Sequence, residues 1–216
     1  MNGTTEQHLF ANKTEFENQI LMLYRLLEKD LKKAMPYVHF SQGNLNAYSI
    51  VFYKSILSSS AQIEILMKQF LQKRNLVSNN NYDRISIRNI LGKFCEFNDN
   101  HTFEQLKNKE CELFSVKIRP WNSIKNNNSK KGGCEPPFWR ATYNKLKHLN
   151  LFEASEESNI KDATLKIAIY SLASLYTLIL LIADLENITI TTPFSKLFDR
   201  IEIASDEEVK VALGIN

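Results

Sequence analysis

Arg140, Asn144 and His148 recur at four-residue intervals within Phe138-Trp139-Arg140-Ala141-Thr142-Tyr143-Asn144-Lys145-Leu146-Lys147-His148. On a helix this spacing puts the three side chains along one stripe, drifting about 40° per step and spanning about 12 Å. Their types suit work on a phosphodiester. An imidazole moves protons near neutral pH, a guanidinium steadies negative charge developing on phosphorus, and a carboxamide orients either one. His148, Asn144 and Arg140 are therefore the candidate catalytic set, and no metal or other cofactor is required. Lys145 and Lys147 are candidates for holding RNA phosphates. The same residues also fit the solvated side of an ordinary amphipathic helix.

Charge along the chain points the same way. Residues 1–104 carry 12 basic and 10 acidic side chains, residues 105–150 carry 10 and 3, and residues 151–216 carry 5 and 11. The middle segment is thus +7, a balance suited to a polyanion such as RNA or DNA and equally to a solvated lysine-rich loop. Trp139, Tyr143 and Leu146 form a second stripe that predicts the core-facing side of the motif helix.

Other constellations are weaker. Cys95, His101, Cys111, Cys134 and His148 could be imagined around zinc, but no C-x-x-C or H-x-x-x-H pair supports it, and no metal is predicted. Cys134 beside Gly132-Gly133 has no evident histidine partner to make it a nucleophile. Those glycines do not belong to a phosphate-cradling loop. Trp121 and Trp139 read as packing residues.

The elements that must carry the motif are mostly helices. Six Gly and five Pro give eleven, where average usage would give roughly twenty-six. Thr14 and Glu17 predict a capping box, and Phe16, Ile20, Leu23, Leu27 and Leu31 continue a helix that Pro36 ends. Asn44 is the predicted cap of a long helix reaching Arg74, and a short helix is expected over 84–97. Phe114, Val116 and Ile118 predict a strand, with Asn187 to Thr191 as its expected partner. Residues 122–133 read as a mobile loop. Pro136 and Pro137 fit the first turn of the motif helix, which is expected to reach Asn150. A further long helix is expected over 161–185, and Ser205 with Glu208 predicts a short terminal one.

The chain reads as one helical domain over 1–216, all-α with a minor β element. Residues 1–13 are a ragged lead-in and 186–216 a C-terminal extension. Three scattered cysteines and the absence of a secretory pattern at the start predict reduced thiols and a cytoplasmic location. Ile167 to Ala183 is seventeen residues without a formal charge. It reads as a buried bundle helix, not a membrane span.

Tyr143-Asn144-Lys145-Leu146-Lys147-His148, approached by Pro136-Pro137-Phe138-Trp139, is similar to a motif of bacterial HEPN-like helical proteins. Ala163-Thr164-Leu165 and Leu172-Ala173-Ser174-Leu175-Tyr176 resemble their following helix, and the stretch from Ser60 to Lys68 their second; the likeness covers residues 45 to 185. It implies a bundle of four or five main helices and a homodimer with paired motif helices. It further implies, in many members, a metal-independent endoribonuclease of toxin-antitoxin, phage-defence or RNA-processing systems. On that pattern His148 assists the 2′-hydroxyl, Asn144 supports it and Arg140 holds the scissile phosphate. The ribonuclease motif places four to six residues between Arg and His, whereas seven lie between Arg140 and His148 here. The alternative is a non-catalytic dimerisation or binding module whose partner is a nucleotide, a nucleic acid or another protein.

Overall fold

In the computed structural model, which describes residues 9–77, 85–97, 101–126, 134–148, 160–191 and 193–200, the two longest helices lie side by side. These are α3 (Ile50–Lys73) and α7 (Leu165–Leu185). Their N-terminal ends are tied by backbone hydrogen bonds from Leu165 N to Ala47 O (2.8 Å) and Lys166 N to Leu45 O (3.0 Å). Their far ends are tied by Arg74 and Glu186, 3.0 Å apart. Both ends therefore coincide, and the helices are parallel. Parallel helices cannot be joined by a short turn, so everything between them is one long return connection.

The two helices also stop in the same way. Asn75 and Asn187 both take φ 57. Leu76 N donates to Leu71 O and Ile188 N to Ala183 O, at 2.9 and 2.8 Å. Each is a Schellman cap built on asparagine, the residue that best tolerates this conformation after glycine. This explains how so glycine-poor a chain ends its helices. It also corrects the expected strand at Asn187 to Thr191, whose first residues are used up in the cap.

The N-terminal arm starts at the far end of this pair, where Leu9 N donates to Glu186 Oε2 at 2.8 Å, and runs back antiparallel to it. It comprises α1 (Lys13–Phe16), one wider π-type turn (Glu17–Leu21) and α2 (Met22–Lys32). Its cap lies two residues before the expected one. Asn12 Oδ1 accepts from Glu15 N, and Glu15 Oε2 from Ala11 N, so Asn12 replaces Thr14 as the cap. Similarly Ser49, not Asn44, caps α3, since its Oγ accepts from Phe52 N.

α7 is buried on nearly every side, which accounts for its uncharged run. It is the single helix among the described residues long and apolar enough to cross a bilayer, and 83% of its most apolar window is covered by the rest of the fold. Ser171, Ser174 and Thr177 hydroxyls donate to carbonyls one turn back, so they add no unmet polar group. Trp121 lies against this helix and donates its indole N–H to Ser174 O and Thr177 Oγ1. Its ring meets Trp139 edge to face at 5.6 Å. Both tryptophans are core residues, as expected.

The return connection holds α4 (Ile87–Glu96), α5 (His101–Asn108), β1 (Cys111–Leu113), β2 (Val116–Ile118), β3 (Lys125–Asn126), β4 (Cys134–Glu135) and α6 (Phe138–Leu146). β1 and β2 form a hairpin, and β1's other edge takes β5 (Asp199–Arg200), antiparallel, with Cys111 opposite Arg200. The segment before β5 is pinned by the buried carboxylate of Glu28 on α2, which accepts from Ser195 Oγ, Lys196 N and Leu197 N. The expected strand at Phe114 is shorter than predicted. Phe114 and Ser115 form its turn with φ 49 and 65, a conformation costly for a bulky side chain. The described chain is mostly helical. The predicted terminal helix at Ser205 and most of the expected loop at 122–133 lie outside the described residues.

Candidate functional site

α6 is set by its two ends. Pro137 occupies the N-cap position in an extended conformation, where its missing N–H costs nothing, and Lys147 closes the C-terminal end. Trp139 and Leu146 are fully inserted in the core, as their spacing predicts, and Trp139 donates its indole N–H to Pro120 O. Phe138 stacks edge to face on Tyr170 of α7 at 4.9 Å, and Lys145 meets Asp162 at 3.2 Å just before α7. The helix therefore runs antiparallel to α7, with one flank turned to α3.

That flank decides the fate of Arg140. Its side chain is 2% exposed. One terminal nitrogen donates to the carbonyl of Ser60 at 3.1 Å and the other to Glu64 Oε2 at 2.6 Å, both on α3. Tyr143 covers the guanidinium face at 4.1 Å, and Nε has no hydrogen-bond partner. Arg140 thus departs from its expected place beside Asn144 and His148 on an open edge. The cause is the 40° drift per step: it leaves Arg140 at the seam with α3 and rotates the later residues away. Asn144, Lys147 and His148 are exposed.

Glu64 is the residue that sequence reasoning missed. Burial alone would push its carboxyl up, but the Arg140 hydrogen bond and charge, with Lys68 at 3.2 Å behind them, bring it below the ordinary carboxylate value. A signal was available: Glu64 stands on a mostly apolar helix beside Ser59 and Ser60, small residues that admit a neighbour closely.

The outer face is different in kind. Lys145 is exposed and shares its charge with Asp162. Lys147 Nζ sits 5.6 Å from the centre of the Tyr143 ring, opening onto solvent. Lys166, exposed at the start of α7, lies 5.7 Å from the Phe138 ring. A cation, an amide and an imidazole thus remain at the surface, flanked by further lysines. Among the described residues no group of three or more His, Cys, Asp or Glu side chains could hold a metal ion. No family model, curated protein or solved structure matches the chain.

Proposed function

We propose that the chain is a non-catalytic HEPN-like module, acting as a homodimer, that holds the backbone of single-stranded RNA against the outer face of α6. The observation that carries this reading is the split of the motif. Arg140 is spent on Glu64 inside the fold, while Lys147, Asn144 and His148 face solvent beside Lys145. Ammonium groups and an amide at a surface suit phosphate contact, which needs positive charge but no reacting geometry. The exposed His148 keeps one second reading in play, a toxin- or defence-type endoribonuclease in which Lys147 supplies the cation.

One experiment separates them. Fluorescently labelled single-stranded RNA is titrated with the full chain in EDTA, and the RNA is then recovered. The expected result is binding that weakens steeply with salt. In the Lys145→Ala/Lys147→Ala double variant it should weaken several-fold, with the salt slope lowered by up to about two, one per lysine, and the RNA should be recovered intact. Cleavage lost in His148→Ala would replace this reading with the nuclease. No salt-dependent binding would defeat both and leave a protein partner.

A further inference from the structure

α6 begins with two adjacent aromatics of opposite fate. Trp139 is sealed in the core at 1% exposure, whereas Phe138 is 39% exposed. Phe138 meets Tyr170 of α7 edge to face, with the ring planes at 68°. Among the described residues, therefore, neither Phe138 face has another ring lying flat on it. A lone exposed ring is commonplace, but this one stands among cations.

At about 100° per residue, Phe138, Ala141 and Lys145 fall within an arc of about 60° on α6 and span about 10 Å along it. All three are exposed. The stripe is thus an aromatic ring and an ammonium separated by a single methyl group, a notch with Ala141 as its floor. On the α7 side it is bordered by Tyr170 and by Lys166, whose Nζ is 5.7 Å from the centre of the Phe138 ring. Lys145 is matched by Asp162. No acidic side chain pairs with Lys166 among the described residues, so Lys166 brings the unmatched positive charge.

We propose that this notch takes one base of single-stranded RNA, stacked on Phe138, with the flanking phosphates held by Lys166 and Lys145. The proposal rests on the reading of α6 as an RNA-holding face and adds to it a contact with the base itself. Every base has a π-face, so the contact tolerates any sequence. The ammonium of Lys166 already stands near the ring, within reach of a phosphate carried by a nucleotide stacked there. Ala141 leaves the space that a larger side chain at this position would fill.

The full chain in EDTA is titrated with a fluorescent single-stranded RNA and, separately, with a strand of the same length and backbone that lacks its bases. The intact RNA should bind at least about five-fold more tightly, the gain expected of one stacked base. Phe138→Leu and Ala141→Leu should each abolish that preference and leave the salt slope unchanged, since neither removes a charge. Lys166→Ala should lower the slope by about one and keep the preference. Equal affinity for the two strands would overturn the stacked base while leaving phosphate contact at α6 intact. A preference that survives both leucine variants would put the base elsewhere and overturn the assignment. No salt-dependent binding of either strand would remove this inference together with the reading it rests on. Ala141 is an exposed helix position, where leucine is a good helix former, so the test stands even if Phe138→Leu loses stability.

Discussion

Among the described residues, two inter-helix arginine–glutamate pairs share a design. Arg74 reaches Glu186 at 3.0 Å and lies over the rings of Phe70 and Phe97 at 5.1 and 5.3 Å. Arg140 reaches Glu64 at 2.6 Å and lies over Tyr143. Each guanidinium is desolvated, ion-paired and covered by an aromatic face, and each fastens another helical segment to α3. The difference is in the acids. The Glu186 side chain is 1% exposed and also accepts from Leu9 N, whereas that of Glu64 is 25% exposed and shares Lys68. The comparison teaches that Arg140, singled out for phosphate chemistry, occupies the same setting as an arginine whose work is to clamp helix ends.

The comparison breaks if the two arginines differ in the wrong direction. Arg74→Ala takes a guanidinium away from a buried carboxylate and is expected to cost about 3–5 kcal/mol, the largest effect. Arg140→Ala leaves Glu64 with Lys68 and some water, and is expected to cost about 2–3 kcal/mol. Urea unfolding of the two variants measures both. An Arg140 variant as stable as the unaltered chain would show that its pair with Glu64 is not needed, and would restore it as a candidate for chemistry.

The acid partner sharpens the contrast through pH. Because the folded Glu64 carboxyl lies below its unfolded value, its contribution is complete above the unfolded value and disappears as pH falls through the folded one. Stability followed by urea midpoint as pH drops through the carboxylate range should therefore decline less steeply in Glu64→Gln than in the unaltered chain. Equal slopes would mean that Glu64 does not titrate against Arg140.

The outer face gives the smallest effect. Asn144→Ala and His148→Ala remove side chains that stand in solvent, and each should change stability by less than about 0.5 kcal/mol. A larger loss in thermal melts would place those residues in the same structural class as Arg140.

Much of this architecture was legible. The core stripe of Trp139 and Leu146, the two long helices and the uncharged heart of α7 follow from periodicity alone. Arg140 was not legible, because its direction depends on which neighbour lies along α6, and spacing within one helix carries no such information. The helix ends were misplaced for a related reason. Asn12, Ser49, Asn75 and Asn187 are punctuation, but the chain offers many Asn and Ser residues, and only local backbone geometry selects among them. The partner of β1 was missed because Glu28, far back on α2, holds the segment that delivers β5.

The parallel arrangement of the two central helices bears on how the chain is made. At α3's completion, Lys73 is the newest residue; α7's completion waits for Leu185, 112 positions later. At about 5–20 residues per second a ribosome needs roughly 6–20 s to cover that distance. For that interval the greasy flank of α3 that ends against α7 has no native cover, so a nascent chain arrested before residue 165 should be a chaperone client, whereas one released after Leu185 has emerged should not.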